Sequence, residues 1–510
     1  MSSKDTKTIY TFSGGIVPNG RGTASGVQSL RLSVADASDG FSGVAAIPLT
    51  FSPSGSGVAA VSVGEKVFRG SFIGHADGDV DVPLFSGVSG TVRELIPSAS
   101  GDGTFAVVID SDGEFTSVPG ASSFAKRISE TSPEEIVAMI RLGGVLSASP
   151  FRRGEPFCRI LERAVKSGKL KRFIVNCTEC SSFVSSSRRL IVEDPASVIN
   201  GAKIILRALG LSLADLVMDE NDPEAVNALR MTFGRDPLFR TRLVNYKYPQ
   251  GSDRMLIYAL TGRRVSSDVT VEEAGYVVID ASVCADVFRL FATGLPRTDC
   301  TVTVDGAGIA EHAVLTLPAG TPVSDVLALC RADLSAPYFV TDGDEMTGRE
   351  PIAVPGIDGG VLNVLSASVL VFPEQKKKTD VPVSACIRCG RCSDVCPVDA
   401  APLYIARNIA AGNMKKAVSL GLDCCISCGA CTYVCPVEIP LSRLIRDAKN
   451  AGKDGKTETK ESETVEETAE EKITDKDEKE KEEINESEEQ NDVPTVTDDP
   501  EGENEEAEEI

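Results

Sequence analysis

Two stretches decide the fold of the C-terminal part of this chain: Cys386–Pro397 (CIRCGRCSDVCP) and Cys425–Pro436 (CISCGACTYVCP). Both follow the pattern C-x2-C-x2-C-x3-C-P. In this pattern three thiolates hold one iron–sulfur cube, and the cysteine before the proline binds the other cube. Gly390 and Gly429 inside the loops let backbone N–H groups approach the cluster sulfides. The sequence therefore predicts two [4Fe-4S] clusters whose ligands are shared crosswise.

The predicted ligands form two sets of four, one for each cluster. The cluster 1 set is Cys386, Cys389, Cys392 and Cys435, and the cluster 2 set is Cys425, Cys428, Cys431 and Cys396. A structural zinc site would explain the C-x2-C pairs but not the duplicated third and fourth cysteines with their prolines. Between the runs, a helical pattern starting at Pro402 favours a helical ferredoxin module. Such a module conducts electrons and has no obvious place to convert a substrate itself.

Charge is distributed unevenly over the 510 residues. The net charge is −23, but residues 451–510 alone contribute −19, so the preceding 450 residues are nearly balanced. The tail has too few apolar residues to offset its ordering entropy, and we expect it to be disordered. It is either a solvating appendage or a docking segment for a basic partner. No basic stripe supports a nucleic-acid partner.

The chain has no apolar run long enough to span a bilayer and no secretory signal at its start. We therefore expect a soluble or peripheral protein on the cytosolic side, where thiols stay reduced and cysteines serve better as metal ligands than as disulfides. Cys177-x2-Cys180 is half of a third metal site or, in the simpler interpretation, part of a group of buried structural thiols. The other members of that group are Cys158, Cys284, Cys300 and Cys330, and Cys424 is a bystander next to a ligand.

Hydrophobic patterning predicts a multi-domain fold with α+β and α/β parts. Short strands punctuated by Gly and Pro predict a small β sandwich or barrel at 43–120. Alternating helices and strands predict an α/β part at 121–265, and the sequence then returns to a β-rich pattern. The predicted boundaries are 1–42 for an N-terminal segment, 43–120, 121–265, 266–372, 376–450 for the ferredoxin module and 451–510 for the tail.

The order of these parts resembles the RnfC family, whose members are subunits of Rnf complexes, the ion-translocating ferredoxin:NAD oxidoreductases. The likeness covers nearly everything before the tail. The motifs that carry the resemblance are Phe12–Pro18 (FSGGIVP), Val63–Val67 (VGEKV), Ser89–Val92 (SGTV), Lys247–Gly251 (KYPQG), Leu260–Arg263 (LTGR) and the two cysteine runs. The resemblance implies a barrel-sandwich hybrid domain, an α/β domain like the flavin subunit of complex I, an SLBB-type β-grasp domain and a di-cluster ferredoxin domain, in that order.

One departure from the family concerns its flavin and NADH site. The Gly-rich loop of the type G-x-G-G-A-x-F-P-T reads here LGGVLSASPFRR over residues 142–153, which keeps Gly143 and Gly144. The motif E-C-E-P keeps Glu179 and loses its second acid and its proline. The resemblance assigns these three residues to cofactor binding, and we hypothesise that the FMN and NAD(H) site is lost or weakened. The competing interpretation is that Arg152, Arg153 and Arg172 bind the dinucleotide phosphates in another geometry.

The resemblance implies a peripheral subunit at the cytoplasmic face of the inner membrane. It would relay electrons between a soluble carrier, either ferredoxin, flavodoxin or NADH, and the membrane subunits of an ion-translocating oxidoreductase. A second hypothesis is a soluble flavin-dependent reductase of the cobalamin-reductase kind. A third is a scaffold whose clusters are structural. The choice of sodium or protons and the direction of electron flow stay open.

Overall fold

The computed structural model describes residues 8–17, 43–53, 55–119, 130–179, 181, 183–335, 338–344, 346–373 and 381–451. The predicted tail, apart from its first residue, and Cys180 lie outside these residues. The strands are β1 (Ile9–Tyr10), β2 (Val44–Pro48), β3 (Val58–Ala59), β4 (Lys66–Val67), β5 (Phe72–His75), β6 (Pro83–Phe85), β7 (Gly90–Pro97), β8 (Thr104–Ser111), β9 (Arg172–Asn176), β10 (Ala214–Asp219), β11 (Phe239–Val244), β12 (Tyr276–Asp280), β13 (Asp299–Gly306), β14 (Ala313–Pro318), β15 (Tyr338–Thr341) and β16 (Ser368–Pro373).

The helices connect these strands and build most of the C-terminal module. They are α1 (Pro133–Leu142), α2 (Phe157–Ser167), α3 (Ser186–Glu193), α4 (Pro195–Leu209), α5 (Pro223–Phe233), α6 (Asp253–Thr261), α7 (Ala281–Thr293), α8 (Val323–Leu329), α9 (Arg391–Asp394), α10 (Pro402–Ala410), α11 (Met414–Ser419) and α12 (Ala430–Tyr433). No helix among the described residues is long and apolar enough to cross a membrane.

A parallel sheet forms the centre of the α/β part. Its order within the described residues is β1-β11-β10-β9-β12. Strands such as β9 (RFIVN) are apolar runs because helices cover both faces of the sheet. Helices α1, α2, α4, α5 and α7 pack on one face, and α6 packs on the other. The chain moves outward from β9 through β10 to β11 and then returns to place β12 on the other side of β9.

This sheet extends beyond the predicted limits of 121–265. Strand β12 lies after residue 265 and pairs with β9 through Val277, Val278 and Ile279, all of them buried. Strand β1 comes from the predicted N-terminal segment and pairs with β11. The boundary at 265 follows a loop pattern, whereas the parallel pairing of two apolar strands decides which residues share this core.

Two smaller β parts flank the sheet. In the described part of 43–119, a four-stranded sheet (β2-β8-β7-β4) faces a three-stranded sheet (β3-β5-β6). The turn after β6 is buried at Ser86 and Val88, so it is packed scaffold rather than an exposed carrier arm. Strands β13 and β14 form a hairpin, α8 follows, and β16 pairs in parallel with β13 and antiparallel with β15. This arrangement is a β-grasp topology.

Helices α4 and α7 approach each other so closely that their contact requires a glycine. A Cβ atom on Gly201 of α4 would overlap the carbonyl oxygen of Cys284 in α7. In an ordinary helix interior, glycine to alanine stabilises by about 1 kcal/mol. At Gly201 the overlap reverses this sign, since the two helices have to separate.

We predict that Gly201→Ala lowers the free energy of unfolding by about 2 kcal/mol, the usual size of an overpacking penalty. Urea unfolding followed by circular dichroism measures this change. Asn227→Ala, on the exposed side of α5, is the control and should leave stability within about 0.5 kcal/mol. An equal effect of both substitutions would contradict the proposed backbone contact.

Candidate functional site: two thiol cavities and a cavity at the sheet edge

The eight cysteines of the two runs surround two cavities. A cavity of about 100 Å³ is lined by Cys386, Cys389, Cys392 and Cys435. A second cavity, of about 20 Å³, is lined by Cys396, Cys425, Cys428 and Cys431. We call these the cluster 1 cavity and the cluster 2 cavity. Each contains the pre-proline cysteine of the other run, which is the crosswise grouping that the spacing predicts, while ligation itself stays a prediction.

The two runs repeat the same backbone geometry. Gly390 and Gly429 both have left-handed backbone angles, with φ of 80° and 81° and ψ of −17° at each. The N–H of Arg388 donates to the Cys386 sulfur at 3.3 Å, and the N–H of Ser427 donates to the Cys425 sulfur at 3.4 Å. Such N–H donors stabilise thiolates that bind iron. The loops therefore fit the iron–sulfur groups that the cysteine pattern predicts.

All eight thiols are free of disulfides, as a metal-binding role requires. Among the described residues, no three His, Cys, Asp or Glu side chains converge closely enough to hold a single metal ion. Burial raises the pKa of Cys428 to about 12, because a thiolate there is removed from water. Iron supplies the positive charge that such a buried thiolate needs.

The two cavities differ in exposure. Cys396 and Cys428, on the cluster 2 cavity, are 9% and 8% exposed. Cys389, on the cluster 1 cavity, is exposed, and the neighbouring Ile387 is 64% exposed. Cluster 2 would therefore sit inside the protein, whereas cluster 1 would sit near its surface.

A third cavity, of about 130 Å³, lies at the carboxyl ends of the parallel strands. We call it the sheet-edge cavity. Its lining includes Asn176 and Asp280, the last residues of β9 and β12. The chain direction reverses between these two strands, and such switch points are the usual ligand sites of open α/β sheets. Sequence reasoning missed both residues, although each is the polar residue that closes a buried apolar strand.

Only one of the three predicted flavin residues lines the sheet-edge cavity. Glu179 lines it and accepts a hydrogen bond from the N–H of Arg188 at 2.7 Å. Gly143 and Gly144 lie elsewhere, since a Cβ atom would meet the Leu290 side chain at the first position and the Pro83 carbonyl at the second. These glycines therefore serve close packing against α7 and against the β sandwich.

The three arginines proposed for phosphate binding are engaged inside the protein. Arg152 pairs with Asp253 at 3.0 Å and with Glu272 at 2.8 Å, besides Glu155. Arg153 pairs with Asp342 at 2.5 Å, and Arg172 lies 4.0 Å from Asp215. None of the three lines the sheet-edge cavity. The described residues thus do not form the flavin and NADH site that the resemblance implies.

Asp280 has an unusual environment in this cavity. Its Oδ1 accepts a hydrogen bond from the Asn176 amide at 2.9 Å, while no residue in the described part of the chain pairs with its Oδ2. Burial, aided by the nearby charge of Asp253, raises the pKa of Asp280 to about 7. A carboxyl group that keeps its proton near neutral pH is typical of functional sites in clefts.

This raised pKa predicts how stability depends on pH. Between about pH 4 and pH 7 the unfolded chain loses the Asp280 proton while the folded protein keeps it, so stability from this group falls as pH rises. Asp280→Asn is neutral at every pH and should gain stability relative to the parent across this window, by at most about 4 kcal/mol. Thermal unfolding between pH 5.5 and 8 measures the difference, with exposed Asp358→Asn as control. A pH-independent difference would contradict the assignment.

Family models match three parts of the chain. An RnfC barrel sandwich hybrid domain matches residues 10–114, a Nuo51 FMN-binding domain matches 154–289, and a 4Fe-4S dicluster domain matches 385–439. These matches confirm the fold classes predicted for the corresponding parts. The second match also continues past residue 265, in agreement with the extended parallel sheet.

Curated relatives cover much of the chain, and all three named here are the RnfC-type subunits of their complexes. The relative from the Na(+)-translocating ferredoxin:NAD(+) oxidoreductase complex of Acetobacterium woodii is 29% identical over 351 residues, which is 68% of this chain and 76% of the relative. The relative from the proton-translocating ferredoxin:NAD(+) oxidoreductase complex of Clostridium ljungdahlii is 27% identical over 68% of this chain and 74% of the relative. The relative from the ion-translocating oxidoreductase complex of Rhodobacter capsulatus is 28% identical, over 69% and 67%.

Among solved structures, an air-oxidised NAD+-reducing [NiFe]-hydrogenase is similar, with a TM-score of 0.44 and 16% identity. The match covers 65% of this chain and 63% of the hydrogenase chain, so this chain spans less than two thirds of that protein.

Proposed function

We propose, from the premise that this chain is a divergent member of the RnfC family of ion-translocating ferredoxin:NAD oxidoreductase complexes, that it is the peripheral electron-transfer subunit of such a complex. Two [4Fe-4S] clusters carry its electrons. The observation that carries this proposal is the pair of four-thiol cavities, each completed by a cysteine of the other run.

The chain's own part in this relay is to hold two clusters close together and to separate their environments. Cys392 of the cluster 1 set and Cys396 of the cluster 2 set are four residues apart, which limits their Cα separation to about 14 Å even in an extended chain. When bound, the clusters supply one-electron redox chemistry. The thiolates fix the clusters, and backbone N–H groups and burial set their potentials.

The exposed side of the cluster 1 cavity is the part of the relay that we propose meets the next carrier. Tyr404, which is 56% exposed, lines this cavity together with Ile387, Arg388 and Arg407. An apolar centre with guanidinium groups around it suits a redox protein with an acidic surface. We propose that this partner is another subunit of the complex or a soluble carrier, either ferredoxin or flavodoxin, at the cytoplasmic face of the inner membrane.

Metal and sulfide analysis of an anaerobic preparation tests the relay. We expect about eight irons and about eight sulfides per chain, together with co-purifying subunits of the complex. Cys389→Ser should remove or alter cluster 1, with loss of up to about four irons and a change in one electron paramagnetic resonance signal. Cys424→Ser, an exposed thiol next to the second run, is the matched control and should keep the full iron content. Equal results for the two variants, or an iron-free protein, would refute the relay.

We also propose that the flavin and NADH site is lost or weakened, since Gly143, Gly144 and the three arginines pack away from the sheet-edge cavity. Acid release and quantification of flavin from the same preparation should give FMN well below one per chain. Near-stoichiometric FMN would contradict this proposal. If that FMN supported reductase activity without the other subunits, the soluble cobalamin-reductase-like alternative would be favoured instead.

A further inference from the structure

Two sequence motifs outside the cysteine runs meet at the cluster 2 cavity. One is the Phe12–Gly15 loop (FSGG), and the other is the Lys247–Gly251 segment (KYPQG). The electron relay as proposed above does not use either motif. Their position next to the buried cluster therefore needs its own explanation.

The two motifs are joined to each other before they reach the ferredoxin module. The N–H of Ile16 donates to the Tyr248 carbonyl at 2.8 Å, and the N–H of Tyr248 donates to the Ile16 carbonyl at 2.7 Å. The Lys247 ammonium donates to the Phe12 carbonyl at 2.8 Å and lies 4.7 Å from the centre of the Phe12 ring. The pair thus forms one unit, which we call the cluster 2 clamp.

The first contact of the clamp is with the loop that carries Cys396. The N–H of Gly15 donates to the Val395 carbonyl at 2.8 Å. A Cβ atom on Gly14 would lie 2.6 Å from the Cys396 carbonyl oxygen, and the φ of Gly14 is +72°. Both the space and the backbone angle require glycine at this position. The loop therefore presses its backbone directly on the backbone of a cluster 2 cysteine.

The second contact is with the loop that carries Cys428. The Tyr248 hydroxyl donates to the Cys428 carbonyl at 2.5 Å, and Tyr248 is only 1% exposed. Tyr248, Cys428 and Ala430 share one buried cluster, against which Ile16 and Val395 pack. A buried hydroxyl that satisfies a buried carbonyl fixes the position of the loop, because either group alone would be costly in this environment.

The other end of the Lys247–Gly251 segment reaches the sheet-edge cavity. The Gly251 carbonyl accepts a hydrogen bond from the Asn176 amide at 3.4 Å, and Asn176 lines that cavity. Between the two ends lies Gln250, which is 2% exposed and whose side-chain amide has no hydrogen-bond partner among the described residues. One short segment thus links the wall of the sheet-edge cavity to a cysteine loop of cluster 2.

We propose that the cluster 2 clamp is a positioning element that holds the Cys396 and Cys428 loops in place and keeps water from cluster 2, so that this cluster has the lower potential of the two. The proposal rests on the two-cluster relay proposed above. A reduced cluster carries more negative charge than an oxidised one, and water stabilises the reduced form. Exclusion of water therefore lowers the potential of cluster 2, while the exposed cluster 1 keeps a higher one.

Tyr248→Phe removes the hydroxyl and keeps the ring. We expect about eight irons to remain, while one of the two cluster potentials rises in a redox titration followed by electron paramagnetic resonance and the other stays unchanged. Signals are assigned to clusters with Cys389→Ser, which alters cluster 1. The matched control is Tyr433→Phe, two residues after Cys431 but 59% exposed, which should shift neither potential.

Gly14→Ala tests the same clamp from its other contact. The added methyl group must push the Phe12–Gly15 loop away from Cys396, and the same cluster potential should rise. If Tyr248→Phe loses iron, selective loss of the cluster 2 signal still supports the clamp, whereas loss of both signals overturns it. Unchanged potentials in both variants with full iron also overturn it. An iron-free parent protein would instead refute the relay itself, so the two failures are distinguishable.

Discussion

The crosswise exchange of one thiol between the two cysteine runs is the constraint on which the C-terminal module depends. Because Cys396 belongs to the cluster 2 cavity and Cys435 to the cluster 1 cavity, neither cavity is complete unless both runs fold against each other. Helices α10 and α11 between the runs supply the small apolar core that makes this possible, with Ile405 and Ala417 fully buried. The repeated left-handed glycines place N–H groups toward the sulfurs in both loops. Metal binding and folding are therefore coupled in this module.

The remainder of the protein treats the two cavities differently, and this difference gives the relay a polarity. The cluster 2 side faces the α/β and β-grasp parts: the Tyr248 hydroxyl meets Cys428, and a Cβ atom on Gly429 would lie 2.8 Å from the Met346 carbonyl oxygen. The cluster 1 side keeps residues 387–391 exposed. A pair of equally exposed clusters would favour no particular end for the next carrier. Here one end is enclosed by the chain's own backbone and the other is open to a partner.

Much of this architecture could be read from the sequence because it follows local rules. The Ser132 cap and its reciprocal bond with Glu135 start α1 where the pattern predicts a helix, and α4 spans Pro195–Leu209 as predicted. The grouping of the thiols follows from spacing alone. The sheet-edge cavity did not follow, because Asn176 and Asp280 are about 100 residues apart and meet only through the pairing of β9 with β12. Nor did the clamp, since a bond between Tyr248 and Cys428 joins two motifs that carry no mutual signal in the chain.

The loop at residues 142–153 shows how a cofactor loop can become a structural joint. Gly144 packs against Pro83 of the β sandwich, and Arg153 pairs with Asp342 of the β-grasp part. Arg152, which pairs with Asp253 and Glu272, is buried with its partners, and removal of one member of such a network costs about 3–5 kcal/mol because the rest is left uncompensated. A guanidinium held in this way is not available to a phosphate. In a loop that joins three parts of the fold, regaining a flavin phosphate site would require breaking these ion pairs first, so loss of the site is stabilised by the same contacts that replaced it.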